Sequence, residues 1–347
     1  MTRGVPRVRG NTTKPVLQTG KLPAALLQEL LALGAPLGDE ILLGPGVGED
    51  ACAIRVEAGV LVAATDPITL TGSGVGGHAV VINANDVAVL GVRPRWFLAC
   101  VLMPPGATEV DIRELFGETR AALESVGVAL VGGHTEVTDA VNRPVVVGQM
   151  LGLREDGHFV PTRGMGETDA VLQVGPAPVE GAAVFAHEAD CDVAPDTLDR
   201  ARNALRDPGI NIVEAALRAA DLGATALHDP TEGGLSAGLH ELADASGVAL
   251  RVDADAVLWF PSGVAVCEAL GADPWGVLAS GTLLAAFPGS SAENVRAVMA
   301  REGFPVATIA RAERGSGVRL LDGSPLRRYE RDEVSRVLDA GRPPGAA

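Results

Sequence analysis

Short apolar runs alternate with longer segments of helical periodicity along most of the chain. A short run bounded by glycine, proline or polar residues predicts a buried strand, and a longer amphipathic or alanine-rich segment predicts a helix. We expect strands at residues 61–64, 95–103, 128–131, 143–153, 171–174, 224–227, 248–252, 283–287 and 305–310. We expect helices at residues 22–33, 76–90, 110–126, 180–188, 195–206, 211–222, 262–270 and 292–302, and one that begins near Gly234. This alternation predicts an α/β protein.

The helix predicted over residues 110–126 has a signal at each end. Thr108 and Asp111 are spaced as a capping pair, in which each side chain bonds the backbone of the other residue. Gly127 follows the last turn, where a glycine readily takes the left-handed conformation that ends a helix. The sequence alone therefore predicts where this helix begins and ends.

The chain is long enough for two domains. Its 347 residues contain one segment, residues 154–169, in which glycine and proline recur without a helical or strand pattern. We find no tandem repeat. The predicted divisions are a flexible arm at 1–20, an N-terminal domain at 21–155, a C-terminal domain at 165–315, and an extension and tail at 316–347.

Charge and cysteine content narrow the function classes. The formal net charge is −16, with 44 acidic against 28 basic residues, which argues against a nucleic-acid surface. The 4 cysteines form no CxxC pair, so they predict reduced thiols in a cytoplasmic protein rather than a zinc site or disulfides. No apolar run reaches the length that spans a membrane, and we expect no membrane partner.

Asp86 stands in unusually apolar surroundings. It is the only formally charged residue between Pro67 and Val92. The helix predicted over residues 76–90 is apolar almost all round, so it is expected to be buried, with Asn83 and Asp86 on one face. A buried carboxylate is costly unless a cation or several donors compensate it. Asp86 is therefore a candidate ligand.

Two further aspartates stand near glycines or at a predicted strand end. Asp50 lies in Gly-Val-Gly-Glu-Asp-Ala at residues 46–51, and Asp66 follows the strand predicted over residues 61–64. Carboxylate oxygens on separate elements suit Mg²⁺ and a phosphorylated ligand better than a soft metal. The alternative is that Asp50 and Asp66 only cap turns, as many loop aspartates do.

Polar groups also follow two other predicted strands. Gly-Gly-His-Thr-Glu occupies residues 132–136, where glycines let a ligand approach the backbone, although a plain glycine turn is the alternative. Asp229 and Thr231 precede the helix near Gly234, whose free N–H groups suit an anion; Thr231 is equally suited to cap that helix. Lys21 precedes the first predicted helix. Its side chain is either a phosphate contact or a solvated charge.

Five motifs in this order resemble the aminoimidazole ribonucleotide (AIR) synthetase superfamily, and in particular its HypE-like, AIR-synthase-related branch. They are Gly-Val-Gly-Glu-Asp-Ala at 46–51, Thr-Asp at 65–66, Asn-Asp at 85–86, Gly-Gly-His-Thr-Glu at 132–136 and His-Asp-Pro-Thr-Glu-Gly-Gly at 228–234. The resemblance spans roughly residues 21–315. It implies two α/β domains, the first contributing to a β-barrel shared within a homodimer, with ATP held between the chains.

The resemblance also implies roles for particular residues. The metal set for Mg²⁺ would be Asp50, Asp66, Asp86 and Asp229. The nucleotide set would be Lys21, Gly48, Asp50, Asp66, Asn85, Asp86, Gly132, Gly133, His134, Thr135, Glu136 and Thr231. No catalytic residue is assigned, and the candidates are Asp66, Asp86, His134 and Glu136.

The implied function is a Mg²⁺-dependent, ATP-using enzyme that activates an oxygen, amide or carboxamide group of a small or protein-borne substrate by phosphorylation. HypE carries its carbamoyl group on a terminal cysteine, whereas the last cysteine here is Cys267, so carbamoyl dehydration is not expected. Selenophosphate synthetase needs a reactive cysteine near its N-terminus, and none precedes Cys52. The alternatives are a non-catalytic nucleotide-binding scaffold with a maturation-factor partner, and a small-molecule kinase resembling thiamine-monophosphate kinase.

Overall fold

The computed structural model describes residues 25, 28, 39–44, 46, 49–69 and 74–340. Within these ranges the chain forms two six-stranded sheets flanked by helices, which confirms the predicted α/β class. The predicted arm over residues 1–20, together with Lys21, Gly48 and most of the helix predicted over residues 22–33, lies outside the described residues.

The first half of the chain, up to residue 154, builds the first sheet. Its elements are β1 (Ile41–Leu43), β2 (Cys52–Val56), β3 (Gly59–Ile68), α1 (Val75–Ala88), β4 (Pro94–Met103), α2 (Glu109–Val126), β5 (Ala129–Val137) and β6 (Val145–Arg154). The sheet order is β1-β2-β3-β6-β4-β5. The pair β4 and β5 is parallel, because α2 carries the chain back across the sheet between them.

Helix α1 packs against the first sheet and is buried on nearly every side, as predicted. Glycine at position 148 of β6 makes the close approach possible, since a Cβ there would lie 2.4 Å from the Asn83 amide nitrogen. Asn83 accepts a bond from the Asp66 N–H at 2.8 Å and donates to the Asp66 carbonyl at 3.2 Å. The helix and strand β3 are thereby locked together at Asp66.

The boundaries predicted for α2 are confirmed. Thr108 caps the helix, and its side chain and that of Asp111 each bond the other residue's backbone. Gly127 ends the helix with a φ of 68°. A local signal was sufficient here because both ends are fixed by contacts within a few residues.

The second half builds the second sheet, whose strand order is β12-β9-β11-β7-β10-β8. Its strands are β7 (Asp169–Val174), β8 (Ala226–His228), β9 (Ala249–Val252), β10 (Leu283–Pro288), β11 (Val306–Glu313) and β12 (Gly317–Leu320). Its helices are α3 (Glu180–Glu188), α4 (Pro195–Arg202), α5 (Val213–Asp221), α6 (Gly234–Ser246), α7 (Pro261–Ala269), α8 (Ala292–Arg301) and α9 (Glu333–Ala340). Short 3₁₀ turns at Thr162–Gly164, Ala254–Ala256 and Pro274–Gly276 and a π-helical turn at Leu205–Gly209 complete it.

Two local expectations are wrong. The strand predicted as buried at residues 128–131 is the exposed edge strand β5, and it continues through residues 132–136, which were expected to follow it. Asp66 lies within β3 rather than beyond its end. These errors share a cause. A local apolar run does not reveal which strands it will pair with in the sheet. Residues 317–320, within the predicted extension, form β12, which pairs in parallel with β9; the predicted domain divisions stay a prediction.

The two halves pack directly against each other. One hydrophobic cluster runs from the first sheet and α1 into α5, β7 and β10 of the second half. Asn85 of α1 reaches across this junction, donating to the Ile210 carbonyl at 2.8 Å and accepting from the Ile212 N–H at 3.1 Å. At its surface, Arg93 pairs with Glu214 at 2.6 Å. The side chains near this junction form the candidate site.

Candidate functional site

A buried histidine links the two halves. His228 ends β8 with an exposed fraction of 1 %. Its Nδ1 lies 2.9 Å from an Asp50 oxygen, and its Nε2 lies 2.9 Å from a Glu241 oxygen of α6. Burial alone would lower the pKa of His228, but the two carboxylates outweigh it and raise the pKa to about 10. The side chain is therefore an imidazolium that donates to both.

Asp229, the next residue, is a buried carboxyl group. Its exposed fraction is 2 %, and neither oxygen makes a regular hydrogen bond with any residue that the structure describes. Burial, and then the Asp50 carboxylate, raise its pKa well above the usual value, while His228 and the nearby Asn85 amide oppose the shift. We call Asp50, His228, Asp229 and Glu241 the junction cluster.

The junction cluster has the chemistry of a cation site. Glu49, beside Asp50, also has one buried oxygen without a partner among the described residues, while its other oxygen lies 3.2 Å from Arg163. Buried carboxylate oxygens that lack donors are the hard ligands that Mg²⁺ prefers. The unpartnered oxygens of Asp229 and Glu49 thus have the chemistry that suits the predicted ion, whereas one oxygen of Asp50 already accepts a hydrogen bond from His228.

The four predicted metal ligands are not gathered at one point. Across the described ranges, no group of three or more His, Cys, Asp or Glu side chains is close enough to hold a metal ion. Asp50 and Asp229 interact within the junction cluster, whereas Asp66 is on β3 and Asp86 is buried on α1. Their common role as Mg²⁺ ligands stays a prediction.

The motif at residues 132–136, which we call the edge motif, lies apart from Asp66. In the register of the sheet Asp66 is opposite Gly148, Gly148 is opposite Ala99, and Ala99 is opposite Gly133. Three strand spacings, about 14 Å, therefore separate β3 from the edge motif. The fold brings them to the same row of the sheet but not into contact.

The side chains of the edge motif face solvent. His134 Nε2 lies 3.1 Å from a Glu136 oxygen, and both side chains are exposed. Gly133 has a φ of 152°, and a Cβ there would lie 2.1 Å from the Ala99 carbonyl oxygen. Glycine at this position serves the close approach of β5 to β4. A contact with nucleotide at these residues stays a prediction.

A cleft opens between the two halves beside Asp66. Its wall includes Thr231 and the α3 residue Glu180. Burial, followed by the charges of nearby carboxylates, raises the pKa of Glu180 to about 7, against an opposing effect of the Ser280 hydroxyl. Of the predicted site residues that the structure describes, Asp66 and Thr231 line this cleft.

Sequence reasoning did not assign His228, Glu241, Glu180 or Ser280. His228 had a usable signal, since it directly precedes Asp229 in a motif already singled out. Glu180 and Ser280 had none, because both matter only through burial against other elements.

Two family models match this chain. The N-terminal domain model of AIR synthase related protein matches residues 48–154, and the C-terminal domain model matches residues 166–323. Two known relatives narrow the class. Carbamoyl dehydratase HypE of Rhizobium leguminosarum is 30% identical over 266 residues, which cover 73% of this chain and 73% of the relative. Carbamoyl dehydratase HypE of Cupriavidus necator is 29% identical over 312 residues, which cover 84% of this chain and 82% of the relative.

The chain therefore belongs to the AIR synthase related family, in its HypE-like branch. Solved structures share the fold. A HypE–HypF complex has a TM-score of 0.70 at 22% identity, covering 88% of this chain and 99% of that chain. HypE in complex with ATP has a TM-score of 0.68 at 22% identity, covering 82% of this chain and 89% of that chain. AaThiL complexed with AMPPCP and TMP has a TM-score of 0.68 at 20% identity, covering 87% of this chain and 93% of that chain.

No helix in the described part of the chain combines the length and apolar character that a membrane crossing requires.

Proposed function

We propose that this protein is a Mg²⁺-dependent enzyme that uses ATP to phosphorylate an oxygen, amide or carboxamide group of its substrate. The observation that carries the proposal is the buried carboxyl group of Asp229, which lies beside Asp50 and makes no regular hydrogen bond with a described residue. A fold does not retain such a group for stability, because it costs free energy that a bound cation would offset. The solved neighbour with bound ATP supports a nucleotide as the cation's partner.

Asp50 and Asp229 would hold Mg²⁺, with Asp66 and Asp86 as further ligands of the ion or its water. Bound Mg²⁺ supplies charge neutralisation for the phosphates, which an acidic protein with few basic residues needs. His228 fixes one oxygen of Asp50 and is itself held by Glu241. Asn83 holds the backbone of Asp66 in place.

The test is calorimetric titration of ATP into the purified protein, first with Mg²⁺ and then with a chelator. Asp229→Asn and Asp66→Asn are compared with Asp192→Asn, which removes the same charge from an exposed position. We expect the wild type and Asp192→Asn to bind only with Mg²⁺, and the other two variants to bind at least tenfold more weakly. Equal affinity in all four proteins, with or without Mg²⁺, would refute the metal site.

We also propose a homodimer through β5, which completes the nucleotide site with the edge motif of the second chain. Support comes from the exposed apolar side chains of Leu130 and Val131, whose exposed fractions are 46% and 54% on a strand with an open edge. Light scattering after gel filtration tests it. We expect Val131→Lys to give monomers and Val110→Lys, on exposed α2, to leave a dimer. A monomeric wild type would refute it.

One alternative is a non-catalytic nucleotide-binding protein that acts with a maturation-factor partner, which the HypE–HypF neighbour supports. Another is a small-molecule kinase, which the AaThiL neighbour supports. Release of phosphate from ATP during substrate screening separates the first from an enzyme. Transfer of labelled phosphate to an offered metabolite, rather than to water, identifies the second. Cytoplasmic location stays a prediction.

A further inference from the structure

Asp50 reaches the junction cluster from the first half of the chain, and one of its two carboxylate oxygens is already engaged. The His228 ring donates to this oxygen, Oδ2, from Nδ1 at 2.9 Å. The His228 side chain is only 2% exposed, against 19% for Asp50. A buried donor holds its acceptor firmly, because loss of the bond would leave a desolvated polar group without a partner. An ion that binds Asp50 is therefore favoured to use its other oxygen alone.

Glu241 fixes the orientation of this histidine. Its Oε2 accepts from Nε2 of His228 at 2.9 Å, so the two ring nitrogens are engaged by carboxylates from different halves of the chain. With both nitrogens engaged, the imidazole cannot turn away from Asp50 without losing charge-assisted hydrogen bonds. Glu241 therefore acts on Asp50 through His228, as the outer partner of a ligating group does in metal sites.

A separate observation indicates which kind of ligand this arrangement serves. Both oxygens of Asp229 and one buried oxygen of Glu49 make no regular hydrogen bond with a described residue. Asp229 is 2% exposed, and it lies close enough to Asp50 for the two charges to interact. Buried carboxylate oxygens without donors, next to a carboxylate held in one orientation, suit a divalent cation.

Mg²⁺ and Ca²⁺ use carboxylates differently. Mg²⁺ is small and requires nearly octahedral geometry, so a carboxylate usually contributes one oxygen to it. Ca²⁺ is larger, accepts about 6–8 oxygens in flexible arrangements, and often takes both oxygens of one carboxylate. A carboxylate that has one oxygen tied to a buried donor is therefore the better ligand for Mg²⁺.

We propose that Glu241 is a positioning residue that sets the choice of ion at the junction cluster. By holding His228 against one oxygen of Asp50, it keeps this carboxylate a one-oxygen ligand and favours Mg²⁺ relative to Ca²⁺. Without Glu241 the imidazole is free to turn, Asp50 offers both oxygens, and the affinity for Ca²⁺ rises relative to that for Mg²⁺. The inference rests on the proposed function, because it deepens the role given there to Asp50.

The test uses Mn²⁺ as its probe, a paramagnetic ion that takes the same oxygen ligands as Mg²⁺. Electron paramagnetic resonance measures free Mn²⁺ as the ion is titrated into the full chain, and Mg²⁺ or Ca²⁺ is then added to displace it. The readout is the ratio of the Ca²⁺ affinity to the Mg²⁺ affinity. We expect Glu241→Ala to weaken Mg²⁺ binding about tenfold and to raise this ratio about fivefold.

Two further variants of Glu241 separate orientation from charge. The amide oxygen of Glu241→Gln still accepts from Nε2, so this variant should keep the wild-type ratio. Glu241→Asp keeps the charge but has a shorter reach, so it should raise the ratio as Glu241→Ala does; it also serves if Glu241→Ala does not fold. An unchanged ratio in Glu241→Ala and Glu241→Asp, or an equal rise in Glu241→Gln, would overturn the inference.

The matched control is Asp244→Ala, which removes a carboxylate from the same helix. Asp244 is exposed and pairs with Arg328, so its loss should leave the ratio unchanged. Thermal unfolding without added ions checks that each variant is folded. If Glu241 only stabilised the fold, its loss would lower the unfolding temperature and weaken both ions equally, which would overturn the inference.

The wild type and Asp229→Asn separate this inference from the proposed function. Mn²⁺ binding that Asp229→Asn weakens supports the metal site, whatever Glu241→Ala does to the ratio. If the wild type binds no Mn²⁺, or if Asp229→Asn binds it equally well, the proposed metal site and this inference both fail. If the site binds Mn²⁺ but the ratio is the same with and without Glu241, this inference alone fails.

Discussion

Two histidines, His228 and His134, illustrate how differently the fold treats similar motifs. Each follows a short apolar run, and each lies about a hydrogen bond's length from a carboxylate: 2.9 Å for His228 and Asp50, and 3.1 Å for His134 and Glu136. His228 is buried in the junction cluster, whereas His134 is exposed in the edge motif. The same pair of groups is therefore in two different dielectric surroundings.

Burial decides what each pair can do. Water screens the His134 pair, so its contribution to stability is small. The His228 pair is shielded from water, so each missing partner would leave a buried charge alone. The lesson is that a motif acquires strong electrostatics only where other elements cover it. The following predictions test this difference, from the largest effect to the smallest.

The largest effect is expected for His228→Gln. This change removes the cation between Asp50 and Glu241 and leaves two carboxylates without it, next to Asp229. We expect a loss of about 3–5 kcal/mol in the free energy of unfolding. Urea unfolding monitored by tryptophan fluorescence measures it. A loss no greater than that of His134→Gln would remove the difference between the two regions.

The second prediction concerns Gly133, the position in the edge motif that does not tolerate a side chain. A Cβ at Gly133 would lie 2.1 Å from the Ala99 carbonyl oxygen, whereas at Gly132 the nearest atom is 3.6 Å away. We expect Gly133→Ala to destabilise the protein by about 2 kcal/mol through backbone strain. Gly132→Ala is the control, with a change below about 0.5 kcal/mol. The two variants are compared by urea unfolding, and equal effects would contradict this explanation.

The third prediction concerns Glu180 and pH. Its folded pKa, about 7, exceeds the usual 4.5, so the folded state binds more protons than the unfolded state. The stability associated with this group is therefore complete below pH 4.5 and is lost as pH rises through 7. At pH 8 we expect Glu180→Gln to be more stable than the wild type by about 1 kcal/mol, a reduced figure because the side chain is only partly buried.

Thermal unfolding of wild type and Glu180→Gln between pH 4.5 and 8 measures this difference. Glu114→Gln is the control and should follow the wild type. Parallel curves for Glu180→Gln and wild type would mean that the cleft does not disfavour the ionised carboxyl group.

The smallest effect is expected for His134→Gln. The imidazole and its partner Glu136 are exposed, so water replaces the lost contact. We expect a change below about 0.5 kcal/mol in the free energy of unfolding of the single chain. If the edge motif binds nucleotide, the same variant weakens ATP binding, which calorimetry detects separately. A large loss of stability instead would indicate that β5 is covered.

Most of the fold was predictable because local signals mark most of its elements. Helix α2 is bounded by Thr108 and Gly127, and α1 was recognised as buried from its apolar surface. Strand β5 was assigned to the interior because its first residues are apolar. No local signal shows that β5 has a neighbour on one side only. The last strand, β12, was missed for the opposite reason, since its role comes from pairing with distant β9.

The site was predictable in its residue types but not in its grouping. Asp50, Asp66, Asp86 and Asp229 were singled out because carboxylates near glycines and apolar residues are conspicuous in sequence. Their partners were not, because His228 and Asp50 are separated by 178 positions. Glu180 carried no such signal, since in the sequence it only begins a predicted helix.

By itself the sequence determined the class of fold, the motifs of the family and the carboxylates that are predicted to hold a cation, since these depend on local pattern and side-chain chemistry. Only the tertiary structure decided which of those residues lost their water. It buried Asp229 without a regular hydrogen bond to any described residue, enclosed His228 between two carboxylates, left His134 in solvent and opened a cleft at Glu180. The physical reason is that desolvation depends on everything packed around a group, most of which is distant in the chain.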